Sequence, residues 1–422
     1  MSQSTIAILI LLAALVLYAI PKMPLAVTSI LACVAMVVFG ILDLGTATAG
    51  FANNAVFLNI GLMIFGQALV TTGLAQRVGG LISKSKLSKN KKLFVLGVLC
   101  LATLLAVFLN GAIVVSILMP VVNAVILQSN GEIKRKDSYF VLGVGATFGN
   151  NILTISATSM LTAVALLTEM GYDQMNILTP LAINLPAVIA VIVFYAIIGV
   201  KLQDKWFDFD EIPLVEEESA VDTEEKPVWK QVLVGGAFIV LIIALVSGAN
   251  YGLVSLIAMS FVIVTGCISE KEAWKSVGWG TVFVLACSIG FSKGIQASGA
   301  GEVIANFFVN IAGPLGRSGI GMCVVLFFVA SLLSDLMSDN ATVAIMLPIA
   351  AAIAETLGIS AIPIFLAVCS GTKVGIATPI CVTPMTMIGV AGYRFKDYVR
   401  MGGLLNLICM IVSCIMLAIV YY

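Results

Sequence analysis

Asp335, Ser338, Asp339, Asn340 and Thr342 stand inside an otherwise apolar run, SLLSDLMSDNATVAIMLP, at positions 331–348. A charged group in bilayer hydrocarbon costs on the order of 2.5–3.5 kcal/mol by insertion scales, so such groups face a cavity, a partner or a pathway. A weaker copy, LLAVFLNGAIVVSILMP, occupies 104–120. In both copies a polar patch precedes a proline by ten residues: Asn110 before Pro120, and Ser338 before Pro348. The pattern predicts two re-entrant hairpins whose tips meet at the membrane midplane.

Two further stretches put helix-loosening residues where a helix should run. The first is GATFGNN at 145–151, followed by Thr154, Ser156 and Thr158. The second is SGTKVG at 370–375, followed by Ala377-Thr378-Pro379 and Thr383-Pro384. Backbone carbonyls freed in such breaks can hold a cation, and N–H groups at half-helix starts can hold an anion. Unwound backbone at membrane depth is tolerated only where protein or water satisfies it.

These four regions supply the candidate site. Asn110, Gly111, Asn150, Asn151, Ser338, Asp339, Asn340, Thr342, Lys373, Thr378, Pro379 and Thr383 are the candidate substrate contacts. Asn110, Gly149, Asn150, Ser338, Asp339, Asn340 and Lys373 are the candidates for cation or proton coupling. Asp339 reads as a cation ligand or proton acceptor, or as a structural partner for an intramembrane lysine. Asp335, one helical turn earlier, reads as structural. Lys373 either neutralises Asp339 or contacts a substrate carboxylate. Asn150 and Asn151 divide between substrate contact and helix capping. Thr378 and Thr383 either meet substrate or bond back to their own helix. Lys293 lies roughly 9 Å from its helix end at the helical rise per residue and reads as snorkelling outward.

Something must carry these groups into a membrane, and the composition says helices. The 422 residues are 60% hydrophobic and only 10% charged, with a mean hydropathy of +1.12. Soluble domains carry roughly 25% charged residues. Long apolar runs rich in Gly argue for helices over alternating barrel strands. Net charge is zero, and no patch suggests nucleic acid. The nine Cys are scattered without metal spacing and read as apolar packing residues. The absence of His removes His proton relays, His-based zinc sites and Ser-His-Asp triads. The first apolar run, 5–20, lacks a basic leader and reads as a true span.

Spans of about 20 residues are expected at 5–20, 25–42, 55–75, 178–200, 231–247, 252–268, 281–299 and 400–421. Hairpins are expected at 93–127 and 319–355, and broken helices at 139–168 and 362–390. The stretch 201–230 holds ten acids against four bases and reads as a cytoplasmic acidic linker. It separates a first repeat, 1–200, from a second, 231–422. Offsets of 222 to 228 residues superpose Phe57 on Phe283, Gly73 on Gly299, Pro120 on Pro348, Gly149 on Gly371 and Asn184 on Asn406. Five spans per half is odd, so the second repeat must be inverted. Placing the acid-free basic loop 77–92 in the cytoplasm puts every Lys and Arg there except Arg317 outside and Lys293 and Lys373 within the membrane. Both termini then lie outside. The basic loop serves as the topology signal, or also as an interfacial helix on anionic lipid.

The second hairpin, LSDLMSDNATVAIMLPI, resembles the Ser-Asn-Thr hairpin of the divalent-anion:sodium symporters, a family of the ion transporter superfamily. The run ATPICVTPMTMIGVAGYRFKDYVRMGGLLNLI is similar to that family's second broken helix and last span. The resemblance implies an all-α polytopic membrane protein with two inverted repeats and an elevator mechanism, usually as a homodimer. It implies dicarboxylate, citrate or sulfate as substrate, with sodium. The pattern departs at Ser338-Asp339-Asn340, where a central amide has become an acid, and at Asn110-Gly111-Ala112, which loses two side-chain ligands. Thr383-Pro384-Met385 replaces Pro-Pro-Asn. Lys373 then gains a third reading, an ammonium where relatives hold sodium.

The expectation is a secondary active transporter of a small anionic solute, a di- or tricarboxylate, coupled to Na⁺ or H⁺. The alternatives within the superfamily are a cation/proton antiporter and a sulfate-type oxyanion transporter. A membrane enzyme or receptor is disfavoured, because no nucleophile–base pair, metal cluster or sizeable soluble domain is visible. No cofactor is expected beyond Na⁺ as coupling ion. Lipid and a second copy of the chain are the expected partners, in the cell membrane.

Overall fold

The computed structural model describes residues 2–20, 23–74, 90–129, 132–172, 175–209, 227–379 and 382–422. The described residues are helical, and no strand occurs among them. Among the described residues, eight helices are long and apolar enough to cross a membrane, and six shorter apolar helices accompany them.

The order of elements in the first half returns in the second. Gln3–Ala19, Leu25–Val38, the short Leu44–Thr48 and Asn54–Thr71 are followed by the hairpin arms Lys91–Ala106 and Gly111–Gln128. The broken helix Arg135–Gly149 and Thr158–Glu169 comes next, and Leu181–Trp206 closes the half. The second half repeats this as Val228–Val246, Tyr251–Val264, the short Glu270–Ser276 and Trp279–Ala297. After Ala300–Ala312 come the hairpin arms Gly319–Leu336 and Asp339–Leu357, then Ala361–Val374, an irregular stretch, Thr383–Met387, and Phe395–Tyr421.

Packing repeats too. Lys91–Ala106 packs along Arg135–Gly149, as Gly319–Leu336 packs along Ala361–Val374. Asn54–Thr71 packs on Tyr251–Val264, while its counterpart Trp279–Ala297 packs on Leu25–Val38. The two closing helices lie against each other. Glycine permits the tightest approaches. A Cβ on Gly149 would collide with the Thr103 carbonyl oxygen, and one on Gly371 with that of Phe327.

Two packing groups result. Hairpins, broken helices and closing helices form one, and the remaining helices form the other. They meet where Thr158–Glu169 packs against Asn54–Thr71 and Trp279–Ala297, and where Asp339–Leu357 packs against Trp279–Ala297 and Ala300–Ala312.

The expected spans agree with the observed helices to within a few residues. Three elements were not anticipated: Leu44–Thr48, Glu270–Ser276 and Ala300–Ala312. The first two are short helices capped by Asp43 and Ser269, whose side chains accept from Thr46 N–H (2.9 Å) and Glu272 N–H (3.3 Å). They were hidden in loops because so short a run has no readable period. Helix also continues through Val200–Trp206, into the stretch read as linker. Residues 210–226 of the acidic linker and 77–89 of the basic loop 77–92 lie outside the described residues; Lys91 and Lys92, read as loop, open the helix Lys91–Ala106, and 228–230, read as linker, open Val228–Val246.

Candidate functional site

Both hairpin tips are helix N-caps. Asn110 Oδ1 accepts from the Ala112 N–H at 3.0 Å, starting the second arm of the first hairpin. Ser338 Oγ accepts from the Ala341 N–H at 3.3 Å, starting the second arm of the other. Ser, Thr, Asp and Asn satisfy the orphan N–H groups of a helix start, which explains a polar patch at each tip.

The tips and both broken helices enclose a cavity of about 110 Å³. Of the candidate residues, Asn110, Gly111, Asn150, Asp339, Asn340, Lys373 and Thr383 line it. Gly111 is wedged between elements: a Cβ there would meet the Ala146 oxygen at 2.7 Å and Pro384 Cγ at 2.8 Å. A larger residue would push the tip off both broken helices.

Asp339 opens the helix Asp339–Leu357, and Lys373 sits in the last turn of Ala361–Val374. Helix N-termini favour anions and C-termini favour cations, so each charge suits its own helix end. The Lys373 ammonium donates to Asp339 Oδ2, forming an ion pair whose side chains are 11% and 12% exposed. Asp339 Oδ1 accepts from the Asn340 N–H at 2.8 Å.

Other candidate residues hold the breaks in shape. Thr342 donates to the Ser338 carbonyl (3.2 Å), and Thr378 to the Asp335 carbonyl (2.7 Å). The Pro379 carbonyl accepts from Thr386 Oγ1 at 2.6 Å. Gly149 provides the close approach to Thr103. Ser338, Thr342, Gly149, Asn151, Thr378 and Pro379 are not among the cavity-lining residues. The Asp335 carboxylate accepts from the Ala377 N–H (2.8 Å) and from Asn406 Nδ2 (3.1 Å). Asn406 Oδ1 also accepts from the Ile376 N–H at 3.1 Å. In the first half, Asn184 Nδ2 donates to the Asn151 carbonyl at 2.9 Å. Asn184 and Asn406, paired by the sequence offset, thus perform the same task on the unwound backbone.

Asn150 donates through Nδ2 to the Ser156 carbonyl, and its Oδ1 has no hydrogen-bond partner among the described residues. Lys293 does not merely extend outward: its ammonium meets Glu169 Oε2 at 2.7 Å, and Asn53 Nδ2 donates to Glu169 Oε1 at 3.3 Å. Sequence reasoning missed the wall contributed by the other packing group, Met63 and Thr281, and also Ala146, Thr147, Thr158, Val382 and Pro384 as lining residues. Thr147, Thr158 and Pro384 lay in the motif stretches; nothing local marked Met63 or Thr281.

The model of the citrate transporter (CitMHS) family matches residues 15–371. The chain belongs to this family. It is an integral membrane protein of helical architecture. An uncharacterized transporter of Haemophilus influenzae is 22% identical over 95% of this chain and 88% of its own length. An uncharacterized transporter of Synechocystis is 29% identical over 38% of this chain and 26% of its own length. A probable sodium/sulfate cotransporter of Chlamydomonas reinhardtii is 26% identical over 39% of this chain and 18% of its own length. The matched region thus spans about a quarter or less of these last two relatives. The resemblance to divalent-anion:sodium symporters agrees with this family and these relatives. Among solved structures, Neisseria gonorrhoeae MtrF, titled as illuminating a class of antimetabolite efflux pumps, has the same fold. Its TM-score is 0.58 at 14% identity, covering 91% of this chain and 82% of that one.

Proposed function

We propose that this citrate transporter family member is a secondary active transporter of a small anionic solute, a di- or tricarboxylate, held in the cavity between the two hairpin tips. The observation that carries the reading is the convergence of both tips and both broken helices on one polar cavity with one ion pair. Lys373 takes a substrate carboxylate, and the amides of Asn110, Asn150 and Asn340 with the hydroxyl of Thr383 complete its shell. A carboxylate that engages Lys373 leaves Asp339 without its counter-ion, and a proton or Na⁺ must follow. Coupling then arises from charge balance in a site of low dielectric.

The repeated element order and the charge of the loops support two inverted repeats, with both termini outside the cell membrane. The two packing groups support an elevator, in which hairpins and broken helices move as one body past the wall that Met63 and Thr281 contribute. A homodimer formed through the stationary group fits this division of labour. Purified protein in liposomes loaded with citrate, succinate or sulfate should exchange the same radiolabelled solute. Absence of counterflow for every anion rejects the reading, and sodium-driven proton movement without an anion would identify an antiporter instead.

A further inference from the structure

Glu169 belongs to the group of hairpins and broken helices, where it closes the helix Thr158–Glu169. Lys293 and Asn53 belong to the other group, on Trp279–Ala297 and at the cap of Asn54–Thr71. That other group takes both carboxylate oxygens of Glu169: the Lys293 ammonium meets Oε2 at 2.7 Å, and Asn53 Nδ2 donates to Oε1 at 3.3 Å. By contrast, the pairs Lys91–Asp137, Lys91–Asp204, Lys373–Asp339 and Arg394–Asp397 each lie within the first group. A carboxylate at a helix C-terminus gains nothing from its own helix end, so its partners across the interface hold it.

The pair stands well away from the transport cavity. Thr281 lines that cavity from the first turn of Trp279–Ala297, and Lys293 lies twelve residues further along the same helix. That separation is about 18 Å of helix axis. In the proposed orientation the start of this helix follows Lys271 and Lys275 at the cytoplasmic face. The cavity then lies toward the cytoplasm and the ion pair toward the outside. The other half carries no matching pair. The offset that superposes Phe57 on Phe283 lays Gln67 on Lys293, and the one that superposes Gly149 on Gly371 lays Glu169 on Ala391. When the moving body takes its other position, the symmetry of the halves brings these neutral residues together instead.

We propose that Glu169, Lys293 and Asn53 form a one-sided latch, made in the cytoplasm-facing position of the carrier and broken in the outside-facing one, so that it sets the resting position. This latch rests on the elevator reading of the two groups. The side chains of Glu169 and Lys293 are 28% and 29% exposed, and a polar cavity of about 260 Å³ lined by Asn53, Thr168 and Asn250 lies beside them. Water weakens such a pair to a factor of about two to five in an equilibrium constant. That is enough to bias the carrier and little enough to break on every cycle.

The test is sided thiol labelling of Asn340→Cys, a cavity residue carried on the moving body. A membrane-impermeant maleimide is added outside intact cells. Modification is followed by mass spectrometry of the peptide that holds position 340, which separates it from the native cysteines. Labelling should be about two- to fivefold faster when Glu169→Gln is added, and faster also with Lys293→Gln. The two changes together should be no faster than the faster single one, because each removes the same interaction. Unchanged or slower labelling with both single variants overturns the latch, and so do effects that multiply. Asn53→Asp keeps the cap on the Ala55 N–H and sets a second carboxylate against Glu169, so it should also speed labelling. If the Glu169 and Lys293 variants do not fold, Asn53→Asp decides, and a rate no faster than that of Asn340→Cys alone overturns the latch. The expected labelling in a protein that exchanges none of citrate, succinate or sulfate would reject the transport reading and leave the latch standing. Exchange of one of these anions with no response in labelling would do the reverse.

Discussion

At the first hairpin tip Asn110 caps its helix, and the next residue is Gly111, chosen by the narrow gap between Ala146 and Pro384. At the second tip Ser338 caps its helix, and the next residue is Asp339, whose carboxylate reaches Lys373. The capping position is a requirement of the fold and is met alike in both halves. The position after it is free to differ, and there the first half provides packing while the second provides charge. The unwound backbones differ in the same sense. Asn184 makes one bond to the first break, whereas Asn406 joins Asp335 and Ile376 around the second. The second break is thus tied to a neighbouring helix through a carboxylate, whereas the first is held largely within its own turn, where Asn150 Nδ2 donates to the Ser156 carbonyl and Ser156 Oγ to the Asn150 carbonyl.

The comparison is broken most severely at Lys373. Lys373→Met leaves Asp339 enclosed and unpaired and should cost about 3–5 kcal/mol in denaturant unfolding. Adding Asp339→Asn should restore most of that loss; a double variant no more stable than Lys373→Met would mean the two groups are not an energetic pair. Next comes Gly111→Val, expected to cost about 1–3 kcal/mol through overpacking and to abolish solute exchange. Gly403→Ala, where a Cβ meets nothing within 4 Å, is the control and should be close to neutral.

The bracing itself is tested by a matched pair. Asn406→Ala should destabilise by about 2 kcal/mol and Asn184→Ala by about 1 kcal/mol, because the first removes two hydrogen bonds and the second removes one. Equal effects would show that the two breaks are braced alike. The smallest effect is expected at Glu169→Gln. This pair's side chains are 28% and 29% exposed. Its loss should cost under about 1 kcal/mol, falling further as salt is added.

Much of this arrangement was legible in the sequence. Apolar runs marked the spans, the ten-residue spacing to Pro120 and Pro348 marked the hairpins, and the Gly-Asn and Gly-Thr-Lys stretches marked the breaks. Leu44–Thr48 and Glu270–Ser276 were not legible, being a turn or two long. Met63 and Thr281 were not legible either, because each sits in an ordinary apolar helix and lines the cavity only through how that helix packs.

By itself the sequence determined the membrane setting, the repeated order of elements, and the four stretches that would carry polar groups. These follow from hydropathy, helix caps and backbone breakers, which act within a few residues. Only the tertiary structure decided which polar groups face the cavity and which turn back to bond backbone. Ser338 and Thr342 stay with their own helix turn while Asp339 and Asn340 face the cavity. Asp335 reaches across to Ala377 and Asn406, and Lys293 to Glu169. Those pairings join residues far apart in the chain, and their geometry is set by how distant helices pack rather than by any local preference.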